Sequence, residues 1–233
     1  MNDFSTSFFQ ALGLLFHLDS DLWEIVGLSF KVSLSAVMLA TFIGLPLGAA
    51  LAIKKFPGHT AVRIIVDTFM AMPPVVIGLI AYLLLSRAGP LGVFGLLYTP
   101  TAMIIAQTLL ITPIIVALSQ QVFGPLWLKF GEQLRLLNTS TGRTLNTLLL
   151  EGRQQLITVW LAGFGRAIAE IGAVMMVGGN IDHYTRVMTT AIALETSKGN
   201  LEMAMALGII LMLMALLINI LAHTFSRLQR GLT

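Results

Sequence analysis

Two charged side chains inside an otherwise uncharged stretch are the first candidates for chemistry. Arg166 and Glu170 are four residues apart, so on a helix they share a face and can form an ion pair. A charge in the middle of a membrane span costs about 2.5–3.5 kcal/mol on insertion scales, so both should face other helices. Two roles stay open. The pair either only locks neighbouring helices, or Arg166 lends positive potential to a pathway for anions while Glu170 partly neutralises it.

Prolines inside two hydrophobic stretches are the second kind of candidate. Pro73-Pro74 removes two backbone donors from a helix, and Pro113 removes one. The hydroxyl of Thr112 is able to satisfy the carbonyl that Pro113 frees. Within lipid, a broken helix is tolerated only against protein or a water-filled cavity. Each break is therefore either a packing kink or a hinge or constriction on a pathway.

The remaining residue types exclude several classes of chemistry. There is no cysteine, and the four histidines are far apart, so neither a thiolate nucleophile nor a metal-ligand spacing is present. A Walker A motif is also missing, so we expect no ATP site, no cofactor and no metal. An intramembrane enzyme would need paired acids or a nucleophile at membrane depth, where only Arg166, Glu170 and Asp67 carry charge. The basic residues form no stripe of the kind that binds nucleic acid.

Hydrophobic composition requires a membrane protein. Hydrophobic residues make up 56% of the chain and charged residues 11%, whereas a soluble domain carries about 25% charged residues. A helix of about 20 apolar residues crosses a hydrocarbon core of about 30 Å. The sequence therefore predicts an all-α polytopic membrane protein with about five transmembrane helices in one domain, 25–227. The predicted spans are 32–53, 67–86, 101–122, 156–177 and 203–226.

The basic residues outside the spans predict the orientation. They segregate to one side, which the positive-inside rule makes cytoplasmic. The N-terminus is then outside and the tail 228–233 cytoplasmic. Residues 1–24 have phenylalanines at three- and four-residue steps, which is typical of an interfacial amphipathic helix. The cytoplasmic set is Lys54, Lys55, Arg63, Lys129, Arg135, Arg143, Arg153, Arg227 and Arg230, and the external set is Lys31, Arg87, Arg186 and Lys198.

The predicted cytoplasmic loop 129–155 is patterned rather than a plain linker. Phe130, Leu134 and Leu137 fall on one face of a short helix. A polar stretch then breaks it, and Ser140 or Thr141 is placed to cap a second helix. Two interpretations remain. The helices lie on the bilayer surface, or they form a knob that docks in a groove of a soluble partner.

Four segments resemble one family. Glu132-Gln133-Leu134-Arg135-Leu136-Leu137-Asn138 is similar to the coupling loop of ABC-importer permeases, with Gln133-Leu134 for two alanines and Asn138 for a glycine. Asparagine suits the left-handed conformation of a helix C-cap. Met72-Pro73-Pro74-Val75-Val76-Ile77-Gly78-Leu79 and 163–180 resemble molybdate and tungstate permeases, and 189–199 resembles the tungstate branch. The resemblance covers roughly residues 25–225.

The resemblance implies the core of a type I ABC importer in a bacterial or archaeal cytoplasmic membrane. Two copies would form a homodimer, cytoplasmic ATPase subunits would grip the loop, and an external solute-binding protein would deliver an oxyanion. Tungstate or molybdate is favoured, and sulfate and phosphate stay open. The implied coupling residues are Glu132, Leu134, Arg135, Leu137, Asn138, Ser140 and Thr141. The implied pathway or gate residues are Pro73, Pro74, Thr112, Pro113, Arg166, Glu170, Asn180 and Thr189.

A self-contained secondary anion transporter or channel is the alternative. Many such carriers are longer chains built from internal inverted repeats. We find no repeat in this sequence, which favours a subunit that depends on partners.

Overall fold

The computed structural model describes residues 8–11, 13–14 and 19–230, without the side chains of 226–230. Every regular element that it places in this part of the chain is helical. The α-helices are α1 (Ser20–Ile53), α2 (His59–Ala71), α3 (Pro74–Leu85), α4 (Pro100–Leu136), α5 (Thr141–Ile168), α6 (Gly172–Gly178), α7 (Met188–Lys198) and α8 (Leu201–Arg230). A short 3-10 helix, Gly92–Phe94, lies between α3 and α4.

The prediction of an all-α polytopic membrane protein is confirmed. Among the described residues, three helices are long and apolar enough to cross a membrane: α1, α4 and the Leu201–Phe225 part of α8. Two further pairs, α2 with α3 and α5 with α6, are each sharply bent at a short break. Counting each pair as one span gives five.

Two of the predicted spans are wrong as continuous helices. The span 67–86 is interrupted because α2 ends at Ala71 and α3 begins at Pro74. The span 156–177 is interrupted between Ile168 and Gly172. Hydropathy did not register either break, since both contain mostly apolar residues.

The other helices extend beyond the predicted spans. α1 begins at Ser20, 12 residues before 32, because the Asp19 carboxylate accepts the amide hydrogen of Leu22 at 3.0 Å and caps the first turn. Half of the predicted amphipathic segment 1–24 lies outside the described residues, and its last residues belong to α1. Of the predicted tail, residues 231–233 are also outside them.

The chain divides into two compact units, and the first contains the candidate site. It comprises the chain up to Ala36, Pro73–Gln107 and Gly165–Leu217. Apolar side chains from α1, α3, α4 and α6, mostly alanine and valine, form its core. These include Val32, Ala81, Leu85, Ala102, Met103, Ala106, Ala173, Val174 and Val177.

The second unit comprises Val37–Met72, Thr108–Phe164 and the chain from Ile218. Its core contains Phe123, Leu148 and Leu156. A Cβ at Gly48 would lie 2.0 Å from the hydroxyl oxygen of Ser119, so α1 packs closely on α4 there. Close contact through small residues is typical of helix pairs in membranes.

Candidate functional site

The interruption between α5 and α6 is a polar site of the first unit that several side chains bond. Arg166 and Glu170 form the predicted ion pair, with Nη1 and Oε2 2.6 Å apart. The Glu170 side chain is 2% exposed and that of Arg166 36% exposed. A buried carboxylate is stable only when it is paired and hydrogen-bonded. Arg166 supplies the pairing charge while keeping part of its guanidinium accessible.

Glu170 also bonds the first turn of the next helix, α6. Its second oxygen, Oε1, accepts the amide hydrogen of Ala173 at 3.1 Å, in the first turn of α6. The first-turn amides of a helix lack partners within the helix, and a carboxylate there also interacts favourably with the helix dipole. One side chain therefore neutralises Arg166 and caps α6.

Two neighbouring helices supply donors to the carbonyls at this break. Nε2 of Gln107 on α4 donates to the carbonyl of Ala167 at 3.0 Å. The hydroxyl of Thr189 on α7 donates to the carbonyl of Glu170 at 2.7 Å. Both donors are buried. Because lipid offers no hydrogen bonds, these contacts are what allow the helix to be broken within a membrane.

Helix α3 lies against the same break. A Cβ at Gly172 would lie 2.8 Å from Cγ2 of Val75, and one at Gly78 would lie 2.7 Å from the Cα of Ala173. Any larger residue at Gly78 would meet backbone. The start of α3, immediately after Pro73, is thereby held close to Glu170 and α6.

Pro73 and Pro74 lie between two helices and do not kink a continuous one. The amide of Met72 donates to the carbonyl of Phe69 and ends α2, whereas Pro74 is the first residue of α3. A first helical residue has no use for its amide hydrogen, so Pro74 costs α3 no hydrogen bond. The double proline separates two helices, so the predicted disruption of the span 67–86 is a break between α2 and α3.

The other predicted pathway residues are not among the residues described above as bonding the break at Glu170. Thr112 and Pro113 belong to the second unit, where α4 continues through the proline. The Thr112 hydroxyl donates to the carbonyl of Thr108 at 2.7 Å. The prediction that it bonds the carbonyl four residues before Pro113, that of Leu109, is therefore wrong. Asn180 follows α6, with a φ of 51° and a buried Oδ1 that has no hydrogen bond in the described structure. The seven residues of α6, about 10 Å of helix, separate it from Glu170.

The predicted coupling loop is built from the ends of two long helices. α4 ends at Leu136 and α5 begins at Thr141. Asn138 has a φ of 48°, so the predicted left-handed turn is confirmed. The hydroxyl of Thr139 donates to the carbonyl of Leu134 at 2.9 Å and lies 3.0 Å from that of Thr144, which closes the turn.

The apolar side chains of this loop divide into two sets. Leu134 is 9% exposed and belongs to the interior of the second unit, whereas Leu136 and Leu137 are 87% and 73% exposed. The prediction that Leu134 and Leu137 share one exposed face is wrong. Leu134 is instead buried in the second unit. The exposed surface of the turn is formed by Leu136 and Leu137 together with Glu132, Arg135, Asn138, Ser140 and Thr141.

Comparison with known proteins decides the family. The family model described as "Binding-protein-dependent transport system inner membrane component" matches residues 44–231. The chain belongs to this family. It is therefore a multi-pass membrane component of a transport system, and the resemblance found in the sequence is confirmed.

Relatives match this inner-membrane component over almost its whole length. It is 40% identical to the probable anion ABC transporter permease protein of Haloferax volcanii, over 87% of this chain and 89% of that one. It is 39% identical to the tungstate uptake system permease protein TupB of Campylobacter jejuni, over 94% and 92%. The fold is similar to that of one chain in a solved structure of the MetNI methionine ABC transporter, with a TM-score of 0.68 at 17% identity, over 95% of this chain and 98% of that chain.

Sequence reasoning about this inner-membrane component missed one residue of the break, Gln107, and the hydrogen bond of a second, Thr189. Gln107 and Thr189 donate across 60 and 19 residues of sequence, so no local pattern reveals their partners. Gln107 did carry a signal, because an amide in the middle of a span is unfavourable unless it is bonded within the protein. Thr189 was predicted as a pathway residue, but its bond to the Glu170 carbonyl was not.

Proposed function

We propose that this chain is the permease subunit of an ATP-driven ABC importer for an oxyanion, most specifically tungstate. The observation that carries the proposal is the 39% identity to a tungstate permease over 94% of the chain. Molybdate is the closest alternative cargo. Two copies form a homodimer in a bacterial or archaeal cytoplasmic membrane, with the N-terminus outside and the C-terminus in the cytoplasm.

Energetics explain why such a subunit needs partners. Moving a dianion inward against 100 mV costs about 4.6 kcal/mol, at about 2.3 kcal/mol per charge. The sequence has no Walker A motif, so the energy comes from ATPase subunits in the cytoplasm. An external solute-binding protein supplies the anion.

The exposed turn between α4 and α5 is the proposed ATPase dock. Leu136 and Leu137 offer an apolar contact that the chain leaves uncovered. Burying such side chains in a groove is worth about 1.5–3 kcal/mol each. The same turn exposes polar side chains beside that contact, namely Glu132, Arg135, Asn138, Ser140 and Thr141. The buried Leu134 packs in the second unit and anchors the turn.

The break at Glu170 is the proposed place where the anion passes. Arg166 is paired yet 36% exposed, so it attracts a dianion without holding it as a bare cation would. Pro73 and Pro74 start the helix that packs on this break, and Thr189 fixes its carbonyl. Asn180, Thr112 and Pro113 are proposed as further gate residues along the route.

Stimulated ATP hydrolysis tests this function. The permease is reconstituted with its ATPase subunits, and tungstate-loaded binding protein is added on the outer side. Hydrolysis should rise several-fold with loaded protein and less with empty protein. A transporter or channel that works alone would carry tungstate without nucleotide, and that result would refute the proposal.

A further inference from the structure

A cavity of about 310 Å³ in the second unit is lined by basic and amide side chains. Lys55, His59 and Arg63 come from the end of α1 and the start of α2, and Gln120 and Gln121 from α4. None of the described lining residues is a carboxylate. One water occupies about 30 Å³ in the liquid, so a tetrahedral oxyanion fits with room for bridging waters.

The chain brings these side chains together through a tight turn. After α1 ends at Ile53, Gly58 turns with a φ of 86°, which a glycine adopts without strain, and α2 begins at His59. His59 and Arg63 are four residues apart, so they lie on one face of α2. Nε2 of His59 lies 2.7 Å from the carbonyl oxygen of Leu51 and donates to it, which anchors α2 to the end of α1.

The cavity carries positive charge that no ion pair among the described residues neutralises. Within the described residues, neither Lys55 nor Arg63 is in an ion pair. Gly58 offers no side-chain cap to α2, so the first-turn amides add a partial positive charge beside them. Asp67, one turn beyond Arg63, is not a lining residue.

We propose that Lys55, Arg63, Gln120 and Gln121 form a binding site for a tetrahedral oxyanion group. Lysine and arginine bind such oxygens through charge-assisted hydrogen bonds, and amide nitrogens add neutral donors. The group is either a free dianion or the phosphate of an anionic phospholipid, since basic pockets between membrane helices bind lipid headgroups. The site shares no residue with the Arg166–Glu170 break, and it does not depend on which anion is transported.

Two variants that each remove positive charge, one outside the cavity and one inside it, test this site. Lys54→Gln is the control, because Lys54 stands beside Lys55 but lines a different cavity, with Thr139 and Thr144. The test variant is Lys55→Gln/Arg63→Gln. Both of its side chains are exposed, so the fold should be kept, as retained ATPase co-purification and an unchanged elution volume would show.

The first arm of the experiment measures the binding of free anions. The permease–ATPase complex without binding protein is placed in phosphatidylcholine nanodiscs, and binding of tungstate, sulfate and inorganic phosphate is measured by equilibrium dialysis. Losing charge-assisted bonds should weaken binding by about tenfold or more in the double variant. The control should bind like the unchanged complex. Gln121→Ala, an exposed amide, should give a smaller loss and serves as a second variant.

The second arm measures how much anionic lipid the purified complex retains. The same complexes are purified from membranes rich in phosphatidylglycerol, and retained lipid is counted by native mass spectrometry. Loss of retained phosphatidylglycerol in the double variant alone, with free-anion binding unchanged, assigns the site to a lipid phosphate. If neither anion binding nor lipid retention differs from the Lys54→Gln control, the site does not exist. Uptake of tungstate would be unaffected by that outcome, so the two proposals fail independently.

Discussion

The carboxylate of Glu170 joins two helices, because one oxygen lies 2.6 Å from Nη1 of Arg166 and the other 3.1 Å from the amide of Ala173. The bond to Ala173 therefore gives Glu170 a structural role, and the pairing with Arg166 gives it an electrostatic one. Substitutions can separate the two, since glutamine keeps an oxygen for the Ala173 amide but carries no charge.

Removing Arg166 alone should damage both roles. Arg166→Gln leaves a buried carboxylate without its cation, at a cost of about 1–3 kcal/mol or more. Thermal unfolding should shift to lower temperature, and tungstate uptake by the complete complex should fall at least tenfold. Arg166→Gln/Glu170→Gln should recover the unfolding temperature, since replacing both partners of a buried pair is often near neutral. If uptake recovers with stability, the pair is only structural.

The donors that close the break should be required for folding. Thr189→Val leaves the Glu170 carbonyl without its side-chain donor, at a cost of about 1–3 kcal/mol. Gln107→Leu removes one of two donors to the Ala167 carbonyl, which the amide of Glu170 also bonds at 3.1 Å, so its cost should be smaller. Thr68→Val is the matched control, because its exposed hydroxyl only bonds a carbonyl of its own helix. Unfolding in detergent should separate the variants from the control, and equal stability of Thr189→Val and Thr68→Val would contradict the geometry.

Two leucines of the coupling turn should respond differently to the same change. Leu137→Asp places a charge on an exposed surface, so the permease should fold normally while the ATPase subunits dissociate. Leu134→Asp buries a charge in the second unit, so folding itself should fail or weaken by several kcal/mol. Co-purification of ATPase with each variant, together with its elution volume, distinguishes the outcomes. Retention of the ATPase by folded Leu137→Asp would show that the turn is not the dock.

An ion pair between α1 and the loop before α7 should make that loop sensitive to pH. His183 Nδ1 lies 2.9 Å from Glu24 Oε2, and this hydrogen bond, with the charges of Glu24 and Asp182, raises the pKa of His183 above its ordinary value of 6.5. The stabilising pair is therefore complete below about pH 6.5 and is lost as pH rises through the raised pKa. Amide exchange in 179–187 should speed up over that window, beyond the intrinsic effect of pH. His183→Gln should abolish this extra change and His223→Gln should not.

Much of the fold was predictable because lipid constrains sequence strongly. Apolar runs of about 20 residues with few or no charges marked each membrane-crossing region, and the left-handed turn at Asn138 followed from its residue type. The pairing of Arg166 with Glu170 was predictable from spacing alone. These features depend on local sequence, which hydropathy and helical periodicity describe well.

The remainder depends on contacts between distant residues. The break after Ile168 contains no proline, and it is stabilised by Gln107 from 60 residues away. The burial of Leu134 beside an exposed Leu137 reflects how α4 packs in the second unit, which periodicity within a short loop does not specify. Pro73-Pro74 signalled a disruption, but only the structure distinguishes a bent helix from two helices.

Accumulation of tungstate inside proteoliposomes tests the central claim most directly. Vesicles contain the permease with its ATPase subunits, ATP is enclosed, and tungstate is offered outside with the binding protein. The account predicts ATP-dependent accumulation to a higher concentration inside than outside, with no accumulation when ATP or the binding protein is omitted. Uptake that proceeds without ATP, or that never exceeds the external concentration, would contradict it.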